Sequence, residues 1–206
     1  MSDNLFQHQY RIPSARANWH GYDGGEYFVT ICTQNREHYF GEIVKNNNDE
    51  PEMALTSIGR FAEEQIRNVT CHYSYAEIPL WVVMPNHIHV IVVIGNDVNC
   101  RDAINRVCVQ QTNERDAMNR VSTGKTNGIG GITGNNNPML KKCLGSVVRG
   151  LKARITKFAN ENNIPFAWQT RFYDHIVRNQ DEMNRIAEYI ENNVAKWDLD
   201  KFHDNE

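Results

Sequence analysis

His87 and His89 stand one residue apart at the start of the apolar run His87-Ile-His-Val-Ile-Val-Val-Ile94. Side chains alternate faces along a strand, so both imidazoles point one way and Ile88 points the other. Two imidazoles on one face of a rigid apolar strand are half of a divalent metal site. The other reading is a hydrogen-bonded pair at the edge of a core. In either case partly desolvated rings need partners, and a metal ion is one such partner. Pro85-Asn86 precedes the pair. It reads as the turn of a hairpin between Trp81–Met84 and His87–Ile94, or as a bend in one strand. Both readings put His87 at a strand end, where a site is open.

Other residues could complete such a site or serve it. Tyr189 and Asn193 are four apart on a predicted helix and so share one face. By periodicity alone they read as a core-edge tyrosine and a helix-end asparagine. Residues 141–178 carry eight Lys or Arg against two acids, whereas residues 181–206 carry eight acids against three bases. A basic half-face on a chain of net charge −3 suits a local phosphate-binding surface; a solvated helix face is the alternative. Within it, Arg149, Lys152, Arg154 and Lys157 are the candidates for phosphate contacts, with Arg171 and Arg178 further along. Trp168, Phe172 and Tyr173 could stack on unpaired bases or simply pack. Tyr173 is also a rival nucleophile to Tyr189. His175 reads equally as a nucleic-acid contact and as a hydrogen-bonded structural histidine.

The elements that must position these residues follow from pattern. Tyr27-Phe-Val-Thr-Ile-Cys-Thr33 after Asp23-Gly-Gly25 is a β-branched and aromatic run, hence a strand. Tyr39–Val44 is a second strand, with Met53-Ala54-Leu55 pairing back. Thr56 N-caps a helix to about Val69, with Ile58, Phe61, Ala62, Ile66 and Val69 on its apolar face. Leu144–Asn160 is a helix with the stripe Val147, Val148, Leu151, Ile155 and Phe158, its cations beside or opposite it. Tyr173–Val177 is a strand. Asn179 or Asp181 opens a last helix running to about Trp197. This order predicts an α+β fold, an antiparallel sheet with helices packed on one face, of the ferredoxin-like kind. The chain reads as one domain over 1–206. Within it, residues 96–137 form a polar, Asn- and Gly-rich insertion in which Arg101-Asp-Ala-Ile-Asn-Arg-Val107 returns as Arg115-Asp-Ala-Met-Asn-Arg-Val121.

Four blocks in order resemble the REP-associated tyrosine transposases, a branch of the single-tyrosine HUH transposases. They are Tyr27–Thr33 with Arg36 and Phe40-Gly-Glu42; Trp81-Val-Val-Met-Pro-Asn-His-Ile-His-Val90; Leu144-Gly-Ser-Val-Val-Arg-Gly150; and Trp168–Arg178 leading into Asn184–Asn193. The resemblance implies an HUH nuclease fold and Tyr189 as nucleophile. It implies that Asn193 joins His87 and His89 around Mg²⁺ or Mn²⁺. Three neutral ligands would leave the ion its full charge for a phosphate oxygen. The implied activity is metal-dependent nicking and rejoining of single-stranded or hairpin, REP-like DNA through a 5′-phosphotyrosine link, in DNA transposition or recombination. Read from the basic half-face and its aromatics rather than from the resemblance, the candidate DNA contacts are Arg149, Lys152, Arg154, Lys157, Arg171, Tyr173, His175 and Arg178. Asn193 is followed by Val194 where the family has proline, so the helix is expected to run on. That departure and the insertion keep a second reading open, a domesticated hairpin-binding protein that does not cleave. A hydrolase of small phosphoesters is a weaker third. Monomer and homodimer both fit the resemblance.

At 206 residues the chain can bury a full core without staples. Five cysteines without a C-x-x-C pair predict reduced thiols and a cytoplasmic protein. Met1–Tyr10 is polar, so no signal peptide is expected. No apolar run is long enough to span a membrane.

Overall fold

A computed structural model describes residues 20–95, 142–200 and 202. The insertion predicted at 96–137 lies outside the described residues. Strands β1 (Gly25–Cys32), β2 (Gly41–Lys45) and β3 (Pro51–Leu55) come first. Helices α1 (Ser57–Arg67) and α2 (Val69–His72) follow, then strands β4 (Ala76–Val83) and β5 (His87–Ile94). Helix α3 (Leu144–Glu161), strand β6 (Tyr173–Ile176) and helix α4 (Gln180–Glu191) complete the order. A 3₁₀ turn, Trp197–Leu199, follows α4.

The main sheet has the order β4-β5-β1-β6, and every pair in it is antiparallel. With the β2–β3 hairpin set aside, this is the βαββαβ arrangement expected from the sequence. The Pro85-Asn86 alternative resolves as a hairpin, closed by Met84 N–H donating to His87 O at 2.8 Å.

Strand alternation divides the residues of the sheet between two faces. Tyr27, Val29 and Ile31 of β1 join Ile88, Val90 and Val92 of β5 in one buried cluster with Ile58, Ala62 and Ile66 of α1 and Val148, Leu151 and Ile155 of α3. Each such aliphatic side chain contributes about 1.5–3 kcal/mol on burial. Phe61 of α1 stacks on Phe158 of α3 at 4.2 Å between ring centroids, which locks the two helices together. Thr56 caps α1, its hydroxyl accepting from Gly59 N–H at 3.2 Å. A Cβ on Gly59 would overlap the Phe40 carbonyl, so only glycine lets α1 lie this close to the chain before β2.

The other face carries the residues with chemistry. Thr30 pairs with His89 and Cys32 with His87 across β1–β5, while Phe28 pairs with His175 and Thr30 with Tyr173 across β1–β6. Helix α4 reaches this face, since Tyr189 meets both His89 and Phe28. The helices therefore do not all lie on one face.

Two further expectations are corrected. Helix α4 stops at Glu191 rather than near Trp197. The reason is local: Asn192 turns its own amide back onto Glu188 O at 2.8 Å, the competition with backbone pairing that makes asparagine a helix ender. The thiols are not all reduced, because Cys71 is disulfide-bonded. Cys71 sits exposed on the short α2, and exposed thiols are open to pairing. Among the described residues no helix is long and apolar enough to cross a membrane.

Candidate functional site

Strand β5 supplies both imidazoles from its first and third residues, and both are buried. Their ring centroids are 4.4 Å apart. Each Nδ1 has its own polar neighbour. His87 Nδ1 lies 2.8 Å from Asn86 Oδ1, and His89 Nδ1 lies 2.9 Å from Thr30 Oγ1. An oxygen at Nδ1 accepts that proton and leaves Nε2 its lone pair, which is the tautomer a metal ligand needs. Phe28 stacks on His89 at 5.2 Å and fixes the ring plane.

Helix α4 brings Tyr189 to the same spot. Asn179 starts the helix, accepting from Glu182 N–H at 2.9 Å, and this sets the register of everything after it. The Tyr189 hydroxyl is 3.2 Å from His89 Nε2 and donates to Asp200 Oδ2 at 3.3 Å. Burial, then the charge of Asp200, pushes the phenol up to about 12. Asn193, one turn on, is buried, and its amide donates to Asp200 Oδ2 at 3.0 Å. Its Oδ1 is buried with no hydrogen-bond partner among the described residues. A buried acceptor left without a donor costs about 1–3 kcal/mol, and a cation is a partner that would remove the cost.

Asp200 is the residue the sequence did not single out. One ligand atom each of His87, His89 and Asp200 lie within 4.8 Å of one another. Two imidazoles, a carboxylate and an amide oxygen form a donor set that suits Mn²⁺ or Mg²⁺, so the residues present fit such an ion. No periodic signal could have found Asp200, which lies beyond the end of α4. It is held in place by Phe202 N–H donating to Oδ1 at 2.8 Å, while the Phe202 ring packs on His87 at 4.6 Å. Asn86 in turn donates to Phe202 O at 2.8 Å.

A cleft of about 460 Å³ opens beside the cluster, lined by Phe28, His89, Tyr173, Tyr189, Asn193, Lys196, Leu199 and Asp200. Tyr173 reaches it from β6, so the two tyrosines face one cleft, and Tyr189 is the one bonded to the histidine.

The cations singled out in the sequence do not gather there. Arg149 and Lys157 are exposed on α3, across the sheet from the histidines, and with Lys152 they line a shallow groove. Lys157 lies 3.9 Å from Glu161. Lys152 donates to the carbonyls of Gln169 and Arg171 at 2.7 and 3.1 Å and packs over Trp168 at 5.5 Å, tying α3 to the segment before β6. Burial pushes it down to about 8. Arg154 turns against the Tyr73 ring at 5.6 Å, with Nε and Nη2 buried. His175 is paired with Glu182 at 2.7 Å, and Arg171 and Arg178 are exposed.

No protein-family model matches the chain. A protein of Haemophilus influenzae, itself uncharacterized, is 29% identical over 182 residues, covering 87% of this chain and 85% of its own length. In structure the chain matches a REP-associated tyrosine transposase bound to a REP hairpin. The TM-score is 0.53 at 18% sequence identity, over 92% of this chain and 77% of the other. The α+β fold, with its antiparallel sheet and packed helices, is therefore the fold of that transposase.

Proposed function

We propose that this protein is a divalent-metal-dependent DNA endonuclease and strand transferase. It acts on single-stranded DNA with a hairpin and works through a covalent link to Tyr189. The observation that carries this reading is the Tyr189 hydroxyl 3.2 Å from His89 Nε2, beside a cluster of His87, His89 and Asp200 with a buried Asn193 oxygen. The fold shared with a transposase that binds a REP hairpin supports the substrate class.

His87, His89, Asp200 and Asn193 would hold the ion. When bound there, Mg²⁺ or Mn²⁺ would supply Lewis-acid charge to the phosphate, worth several kcal/mol. Tyr189 supplies the nucleophile. Its phenol oxygen forms a bond to phosphorus and the bond from phosphorus to the 3′-oxygen breaks. The phenol loses a proton and the 3′-oxygen gains one, leaving a 5′-phosphotyrosine and a free 3′-hydroxyl. The link keeps the phosphodiester energy for rejoining, so no nucleotide triphosphate is consumed. A phenol pushed up to about 12 is ionised in only about one part in 10⁵ at pH 7. His89 Nε2 and Asp200 Oδ2 both lie within hydrogen-bond reach of the phenol. Thr30 and Asn86 orient the two imidazoles through their Nδ1 atoms.

The experiment is a nicking assay on end-labelled hairpin oligonucleotides with unpaired flanks, in Mn²⁺ and in chelator, with wild type and Tyr189→Phe. Cleavage by wild type alone, and only with metal, is expected. Hairpin binding by wild type without cleavage on any substrate would instead favour the non-cleaving binder.

A further inference from the structure

Helix α4 carries the nucleophile yet is lightly held. Of its 12 residues Ile190 is the one that is buried, whereas α1 buries five of its 11. Helices in proteins are held chiefly by the packing of an apolar face, so a helix with so little of it needs other ties to keep one orientation. At the site, Tyr189 ties it to His89. At its start, the tie is Glu182.

Each carboxylate oxygen of Glu182 has its own partner. Oε2 accepts from the Arg178 N–H at 2.9 Å, and Oε1 lies 2.7 Å from His175 Nε2. The first bond belongs to helix capping. Asn179 accepts from the Glu182 N–H at 2.9 Å in return, a variant of the capping box. The second bond is not needed for a cap. It leaves the helix and ends on the edge strand β6, where His175 stands across the ladder from Phe28. Phe28 is the ring that stacks on His89 and meets Tyr189 edge-on, at 5.2 and 6.1 Å between centroids. Glu182 and Tyr189 are seven residues apart, two turns and about 10 Å along the axis, so both project toward the sheet from one face of α4.

The His175 and Glu182 side chains are 35% and 21% exposed, and so open a pair adds little to global stability. What it fixes is the roll of the helix. A tyrosine hydroxyl stands well outside the Cα cylinder of about 2.3 Å radius, so a small roll is amplified at the oxygen.

We propose that Glu182 and His175 are positioning residues for Tyr189. Their bond locks α4 to strand β6 and holds the phenol oxygen at His89 Nε2. The inference rests on Tyr189 being the nucleophile, and it gives His175 a task other than contact with DNA.

The test uses His175→Ala, which breaks the bond to the strand and leaves both capping bonds, and His175→Gln, whose amide N–H can reach Glu182 again. Single-turnover cleavage of a flanked hairpin in Mn²⁺ is measured beside the Kd for that hairpin. His175→Ala is expected to slow cleavage by about 10–100-fold with Kd within about twofold of wild type, since a misplacement of about 1 Å can cost about 100-fold. His175→Gln should recover most of the rate. His175→Ala added to Glu182→Ala should slow cleavage no further than Glu182→Ala alone, as one shared bond requires. A fluorine label on the Tyr189 ring gives a readout that needs no cleavage. Its NMR line in metal-free protein should move or broaden in His175→Ala and return in His175→Gln. A weakened Kd with an unchanged rate makes His175 a DNA contact and overturns the proposal, as does an unmoved fluorine line. The two readings fail separately. A wild type that never cleaves, but whose Tyr189 line follows His175, sinks the nuclease and keeps the tether. Unslowed cleavage by His175→Ala with an unmoved line does the reverse.

Discussion

Replacing Thr30 with valine removes one oxygen from the site and little else. Thr30 sits directly across the β1–β5 ladder from His89, and its Oγ1 lies 2.9 Å from His89 Nδ1. If Nε2 is the metal-binding atom, Nδ1 carries the proton and Thr30 accepts it. Valine keeps the volume and leaves that N–H buried without an acceptor, which costs about 1–3 kcal/mol. For a chain of this length each kcal/mol moves Tm by about 2–4 °C, so Tm in chelator should fall by roughly 2–12 °C. The second consequence is specific to the metal reading. Loss of the oriented tautomer should weaken Mn²⁺ binding by about 10–100-fold, whereas Thr30→Ser, which keeps the hydroxyl, should restore most of it. The assay pairs thermal unfolding in chelator with titration of free Mn²⁺ by electron paramagnetic resonance. A Thr30→Val protein with lowered Tm but unchanged Mn²⁺ affinity would leave Thr30 a packing residue and His89 Nε2 no ligand.

Gly59→Ala should lower Tm despite alanine's better helix propensity, because the new Cβ meets the Phe40 carbonyl; an unchanged Tm would mean α1 can shift freely. Lys152 is pushed down to about 8 by burial, so between about pH 8 and its ordinary value near 10.5 the unfolded chain holds the proton that the folded one has lost. Wild type should therefore gain stability relative to Lys152→Met as pH rises through that window, and parallel pH profiles in denaturant melts would contradict this. Glu182 is held below the usual carboxylate range by the Arg178 N–H and then by His175. Its contribution is present above the ordinary carboxylate value and lost as pH falls through the lowered one, so Glu182→Gln should destabilise at pH 7 and match wild type in strong acid. A constant difference across that range would assign the effect to packing.

Period-two alternation was enough to put His87 and His89 on one face, because a hairpin strand obeys it whatever surrounds it. The N-cap at Thr56 and the apolar stripes of α1 and α3 were legible for the same local reason, while the start of α4 stood open between Asn179 and Asp181 until the structure placed the cap at Asn179. The four-residue spacing of Tyr189 and Asn193 placed them together, and nothing in that spacing said which strand they would meet. What escaped depends on long-range packing or on side-chain competition. Asp200 belongs to an aperiodic turn, and Thr30 read only as a strand residue until the ladder set it opposite His89. Lys152 and Arg154 read as solvent-facing cations by helical position, yet their long side chains lie along the protein, onto carbonyls and onto Tyr73. The end of α4 was set by Asn192 bonding its own helix, whereas the sequence had carried the helix on to about Trp197.

Whether Tyr189 takes the DNA can be read from the adduct itself. Wild type incubated with flanked hairpin oligonucleotides and Mn²⁺ would be denatured, digested with nuclease and protease, and sequenced by mass spectrometry. A nucleotide phosphate is expected on the peptide containing Tyr189, absent with chelator and absent in Tyr189→Phe. A modification on Tyr173 instead, or no modified peptide from protein that binds the hairpin, would contradict Tyr189 as the nucleophile.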